Sequence, residues 1–343
     1  MTSPTQAAVV GTETPGPDTD GHQLEKGATG DHTGRSPSQL MWARFKRDRT
    51  GVVSAVVVIF FFAAAAFAPL IAKVYGKDPY TRYGQEIPGL MNDLGIPIKP
   101  NGGIDGDYWF GLEPQFGRDV FTQLLYGMRT SLTLAVIVTL ISVATAIIMG
   151  VTAGYMGGRV DYFIGRLIDL LMSFPNQLFF VAFTPIVAAI LVSPEDEIPT
   201  WLRASILIFV MWILGWMALA RLLRGQVLSL REREFVEAAK VTGASPWRII
   251  RKELLPNVVT PILVQSTYML PNFVTAIAGL SFLGVGMPEP TPDWGRMFDT
   301  GATYFQSDLT YMFFPGGAMV IFIVAFNLLG DSVRDAFDPK AGR

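Results

Sequence analysis

The sequence predicts an all-α integral membrane protein with six membrane-spanning helices. Three observations carry that expectation. The chain has 343 residues and is 50% hydrophobic but only 16% charged, whereas an ordinary soluble domain is about a quarter charged. Its apolar residues gather into six uncharged stretches, Val52–Ala72, Thr130–Gly158, Leu170–Ser193, Ala204–Ala220, Asn257–Pro288 and Leu309–Gly330. Its lysines and arginines favour alternate connections between those stretches, as topology in a bilayer requires.

The chain opens on a tail, residues 1–38, rich in Gly, Pro, Thr, Asp and Ser. Too little of it is apolar to offset the entropy of ordering, so it reads as disordered and cytoplasmic. Its first residues lack the basic and apolar regions of a signal peptide. Residues 39–72 hold a basic segment (Arg44, Lys46, Arg47, Arg49) and the first stretch. A helix needs roughly 20 apolar residues to cross the hydrocarbon core. Five of the stretches reach that length, and Trp201, Leu222 and Leu223 extend the short Ala204–Ala220.

Residues 73–129 read as a long external loop, with Gly, Pro and Asp clusters at 77–79 and 99–103. Gly117 to Gly127 has apolar residues at helical spacing and predicts a short interfacial helix. Residues 130–335 then hold the five-helix core. Within it, the 224–256 loop carries seven basic residues, against the single Arg296 of 284–308, so the former is expected to be cytoplasmic and the latter external. The end, 336–343, is expected to be cytoplasmic.

Composition excludes several chemistries. Net charge is −2, which argues against a nucleic-acid partner. The chain contains no cysteine, and both histidines, His22 and His32, lie in the tail. Thiolate and histidine chemistry is thus missing from the membrane body. There is no phosphate loop, no metal-ligand cluster and no nucleophile elbow. The chain is therefore expected to need no cofactor and to be no enzyme. No acid sits within the uncharged stretches, which argues against a proton-driven carrier.

The 231–256 segment, REREFVEAAKVTGASPWRIIRKELLP, reads as two short helices and a turn. The first runs from about Arg231 to Thr242, with Phe235, Ala238, Ala239 and Thr242 on one face. Gly243 ends it. Ser245 caps the second helix and Pro246 opens it. Trp247, Ile250 and Leu254 form an apolar stripe, and Pro256 ends the helix. Such a hairpin either lies on lipid headgroups or docks into a partner protein.

The spacing Glu237-Ala238-Ala239, Gly243, Leu255-Pro256 resembles the EAA signature of ATP-binding-cassette (ABC) importer permeases. Glu253 stands where that family often has an aliphatic residue. Further segments resemble the C-type permease subunit of oligopeptide and dipeptide importers: Gly117-Arg118-Asp119-Val120, Gly154 to Asp161, Arg166 to Pro175, Leu283 to Gly286 with Asp293-Trp294-Gly295, and Asn327 to Pro339. The resemblance spans residues 42–340. It implies a type I importer permease in the bacterial cytoplasmic membrane, with both termini cytoplasmic. It implies as partners a homologous second permease subunit, two ATPase subunits that bind ATP and Mg, and an extracytoplasmic substrate-binding protein. It implies that Glu237, Ala238, Ala239, Gly243, Ala244, Trp247, Leu255 and Pro256 couple the spans to an ATPase. Short peptides are the implied cargo, with nickel chelates, glutathione or other small solutes as alternatives.

Four polar residues are candidates for the translocation pathway. Asn176 and Gln177 follow Pro175 inside the third stretch, and Gln265 and Asn272 lie in the fifth, the latter beside Pro271. A proline bend there either lines a pathway or only shapes packing. Buried amides are costly beside lipid and should face protein or water. Arg166 and Asp169 are spaced to pair on one helix face. Gly150, Gly154, Gly157 and Gly158 would permit close helix approach.

Overall fold

A computed structural model describes residues 37–193 and 195–337, so the expectation for residues 1–36 of the tail and most of that for the C-terminal segment lie outside the described residues, while residues 37 and 38, expected to be disordered, are helical. The helices are α1 (Pro37–Arg47), α2 (Arg49–Ala66), α3 (Ala68–Tyr75), α4 (Tyr83–Glu86), α5 (Pro100–Gly103), α6 (Val120–Met156), α7 (Gly158–Met172) and α8 (Asn176–Leu191). They continue as α9 (Thr200–Gly215), α10 (Met217–Leu230), α11 (Glu234–Val241), α12 (Pro246–Ile249), α13 (Leu255–Phe282), α14 (Trp294–Tyr304) and α15 (Leu309–Phe337). The described residues from Met41 to Phe337 form one compact unit.

Among the described residues, four helices are long and apolar enough to cross a membrane: α2, α6, α9 continued by α10, and α15. A fifth crossing results if the bent pair α7–α8 is one broken span. The expected sixth, α13, is 28 residues long but is diluted by Asn257, Gln265, Asn272 and three prolines, and it does not pass the same test.

Several boundaries differ from the sequence reading, each for a physical reason. The expected interfacial helix is the first part of the 37-residue α6, because Asp119 N-caps it by accepting from the Thr122 N–H and the helix then runs on unbroken. The first stretch divides at Phe67, ahead of Pro69 near the start of α3. The third stretch is not one helix. It breaks at Ser173-Phe174-Pro175, where the chain turns through 88° between α7 and α8. Pro175 lacks an N–H and disfavours the α conformation before it. Pro256 does not end a helix: a π-helical turn, Ile250–Leu254, joins α12 to α13, and Pro256 occupies the first turn of α13.

The core forms where α6, α10, α13, α14, α15 and α2 meet. Gly150 and Gly154 let α6 lie directly on α10: a Cβ at Gly150 would sit 2.6 Å from the Ala220 carbonyl oxygen, and one at Gly154 2.7 Å from Val227 Cβ. Phe61 of α2, Trp294 of α14 and Phe322 of α15 interlock, with ring centroids 5.4–6.2 Å apart.

Ion pairs fasten the two ends. At one end Asp161 of α7 pairs with Arg224 of α10, and Asp169 pairs with Arg221 at 2.6 Å. Asp169 thus pairs across helices and not with Arg166, whose guanidinium lies over the Tyr162 ring. At the other end the buried Arg118 grips Glu113 at 2.5 Å and Glu289 at 2.8 Å, and Arg296 reaches Glu289 at 3.0 Å. Burial raises the Glu113 carboxyl. At Glu289 burial also acts upward, but Arg118 and Arg296 outweigh it and hold the carboxyl below its ordinary value. The connection expected to be irregular is thereby ordered, with α4, α5 and two isolated antiparallel bridges.

Candidate functional site: a hairpin cleft and a polar stripe

The 231–256 hairpin is shorter than its sequence pattern suggests. α10 ends at Leu230 with Arg231 as its C-cap, so α11 begins at Glu234. α11 closes with a Schellman turn. The Ala244 N–H donates to the Ala239 carbonyl and the Gly243 N–H to that of Lys240, each at 3.0 Å. Gly243 takes φ 77°, which an L side chain rarely adopts. The Thr242 hydroxyl donates to the Ala238 and Ala239 carbonyls. Ser245 stands at the N-cap position of α12, but its side chain makes no capping hydrogen bond.

Burial sorts the hairpin into two sides. Val236, Ile249 and Leu254 are fully buried and tie it to the bundle. Trp247 is not in that stripe: it is 68% exposed, because the turn into α12 points Ile249 inward instead. Val241 is 88% exposed. Between α11 and α12 lies an open cleft of about 400 Å³ with Phe235, Ala238, Ala239 and Thr242 on one wall, Gly243 and Ala244 at its end, and Arg248, Ile249 and Glu253 on the other. Small side chains leave this space, and the wall opposite them carries one charge of each sign.

Five of the eight expected coupling residues therefore lie at or beside the cleft: Ala238, Ala239, Gly243 and Ala244 line it, and exposed Glu237 follows Val236 on α11. Glu237 forms no ion pair among the described residues. Trp247 stands out from the hairpin, while Leu255 and Pro256 belong to the first turn of α13 and do not line the cleft. Arg248, Glu253 and Val241 were missed by the sequence reading. The signal for Glu253 was its place at a position usually aliphatic: here it faces the cleft.

The pathway candidates separate as well. Gln265, Tyr268, Asn272 and Thr275 follow at intervals of three, four and three along α13 and share one face. That spacing was the missed signal for Tyr268 and Thr275. Asn272 and Thr275 are exposed on the isolated chain, and Gln265 and Tyr268 are half-buried. The Gln177 amide rests on α13, 2.8 Å from where a Cβ of Gly279 would be, one further step along the same face. Asn176 is exposed at the first position of α8, just past the break between α7 and α8. Among the described residues no group of three or more candidate metal ligands occurs.

Residues 146–343 match the family described as binding-protein-dependent transport system inner membrane component, and residues 36–93 match the N-terminal TM domain of oligopeptide transport permease C. The chain is similar to the dipeptide transport system permease protein DppC of Bacillus subtilis, 34% identical over 309 residues that cover 90% of this chain and 87% of that one. It is also similar to the protein of the same description from Alkalihalophilus pseudofirmus, 32% identical over 309 residues, 90% and 92% of the two chains. The oligopeptide transport system permease protein OppC of Bacillus subtilis is 31% identical over 297 residues, 87% of this chain and 88% of that one. Among solved structures, a chain of the MetNI methionine ABC transporter in an inward-facing conformation has a similar fold, with TM-score 0.51 at 19% identity over 64% of this chain and 97% of that chain.

Proposed function

The chain belongs to the family of binding-protein-dependent transport inner-membrane components, and from that premise we propose that it is the permease subunit of an ATP-driven importer of short peptides. The relatives described as dipeptide and oligopeptide permeases support that cargo over nickel chelates or glutathione. The chain forms half of a membrane pathway and pairs with a homologous second permease. Two ATPase subunits bind its cytoplasmic face, and an extracytoplasmic binding protein delivers the peptide. ATP and Mg belong to the ATPases, since this chain has no phosphate loop. It resides in the bacterial cytoplasmic membrane and crosses it six times, with α7–α8 as a broken third crossing and α13 as the fifth, its polar stripe facing the pathway. Both termini are cytoplasmic.

The observation that carries this reading is the hairpin. A polar helical turn that leaves Val241 and Trp247 exposed beside an alanine-lined cleft leaves apolar surface that a partner would cover. The ATPase occupies that surface. Glu237 offers it a carboxylate, Ala238 and Ala239 allow close approach, and the rigid tie through Val236, Ile249 and Leu254 passes the closing motion on to α13. An ion-coupled carrier would have no use for such a device.

The test is Glu237→Lys in the reconstituted transporter. Peptide uptake should fall at least about tenfold while the variant still inserts in the membrane, since charge reversal removes one charge-assisted contact and adds a repulsion. Uptake at the wild-type rate would remove the hairpin from the mechanism.

A further inference from the structure

At the end of the bundle that carries the hairpin, α10, α13 and α15 line a second, open cavity of about 500 Å³. It is distinct from the hairpin cleft and continues the polar stripe of α13. Gln265 and Tyr268 belong to both. Gln226 of α10 adds another carboxamide, and Arg334 of α15 brings a guanidinium. Leu222 and Phe337 close the sides with apolar surface.

Each polar group has a definable role. The Tyr268 hydroxyl donates to Asp331 at 2.5 Å, which fixes its ring. Arg334 forms no ion pair within the described residues, although Asp331 and Asp335 are its near neighbours in sequence. Arg334 also hydrogen-bonds the Tyr268 side chain; the donors left over can meet an anion, and a carboxylate is the planar anion that such a fork fits best. The two carboxamides each present donors and an acceptor, the complement of a peptide unit. A few polar groups set in apolar walls around several hundred cubic ångströms is the make-up of a small-ligand site.

We infer that this cavity is a binding site for a short peptide on its way out of the pathway, with Arg334 holding the C-terminal carboxylate and Gln226 and Gln265 the backbone. The inference rests on the reading of the chain as a peptide permease subunit and goes beyond it by naming the residues that touch the cargo. An open site with one charge contact suits release: it orients the peptide without trapping it.

The chain has no cysteine, so Thr260→Cys places a single thiol of this subunit on the cavity wall. The rate of maleimide labelling is measured in the complete transporter, its other subunits made cysteine-free, with alanyl-alanine or its C-terminal amide present. Alanyl-alanine should slow labelling, and the amide should need at least about tenfold more, the worth of one charge-assisted contact. Arg334→Gln should erase that difference. Where Arg334→Gln fails to assemble, Gln226→Ala in the same assay decides: protection by both peptides should weaken. No protection by either peptide, equal protection in the parent, or a difference that survives Arg334→Gln overturns the inference. Peptide uptake by the Thr260→Cys transporter separates the two levels. Uptake without protection rejects the cavity alone; absence of both uptake and co-purifying ATPases in the unsubstituted protein rejects the permease reading and the cavity with it.

Discussion

Gly243 and Glu289 show how single residues set the two ends of the molecule. A Cβ at Gly243 would meet nothing within 4 Å, yet its φ is 77°. The glycine is therefore required by conformation and not by space. Gly243→Ala should cost about 1 kcal/mol locally and lower coupled ATPase activity, while Gly243→Asn, which tolerates left-handed backbone, should restore most of it. Equal loss in both variants would mean that the open space itself is used. At the opposite end the arginines depress Glu289 despite its partial burial. A depressed carboxyl stabilises the fold above its unfolded pKa of roughly 4.3, and that contribution is lost as pH falls through the lower folded value. In thermal unfolding, Glu289→Gln should melt below the parent at pH 7, and the gap should close below about pH 4. A gap independent of pH would show that the pairing contributes nothing. The glycine was legible in the sequence because a turn is a local pattern. The Arg118–Glu289 pair was not, because its partners lie 171 positions apart. Trp247 misled for the same reason: which residue of a short helix turns inward depends on what the bundle offers it, and the bundle received Ile249.

Elements repeat this division. Apolar run length located α2, α6, α9–α10 and α15, since crossing a bilayer demands it, and the glycines at 150 and 154 announced the close approach of α6 to α10. What escaped was how helices join. The broken α7–α8 turn, the continuous passage through Pro256 and the merger of the supposed interfacial helix into α6 depend on backbone hydrogen bonds at the junctions, and composition does not report these. The glycine contact can be tested. Gly154→Leu would drive a side chain into Val227 and the Arg224 carbonyl, and overpacking of this kind costs about 1–3 kcal/mol. The detergent-solubilised protein should melt several degrees lower. Gly225→Ala, with open space around it, should leave the melting temperature unchanged or raise it, because alanine favours the helix. Equal effects would show that α6 and α10 do not rely on close backbone contact.

For the whole molecule, contacts fix which helix ends lie together. Gly51 at the start of α2 abuts Ser332 near the end of α15. Arg231 at the end of α10 reaches the Gly154 carbonyl near the end of α6, at 3.4 Å. Gln226, Thr260 and Arg334 share a cavity, which adds the start of α13. Arg118, Glu113 and Glu289 gather the start of α6 and the connection after α13 at the other end. Every long helix therefore alternates in direction if, and only if, α7–α8 carries the chain from the hairpin end to the opposite end. The ion pairs from Asp161 and Asp169 to α10 hold α7 at the hairpin end, and α8, with 16 residues, can span about 24 Å beyond the bend. The proposed six crossings require that step and α13 as a further crossing, and a re-entrant α7–α8 would break the count. Single cysteines settle the matter in sealed vesicles of known orientation. Glu195→Cys, just past α8, should react with an impermeant maleimide from the same side as Asp93→Cys and opposite to Thr242→Cys on the hairpin. If Glu195→Cys reacts instead from the hairpin side, α7–α8 dips into the membrane and returns, and the chain no longer crosses six times.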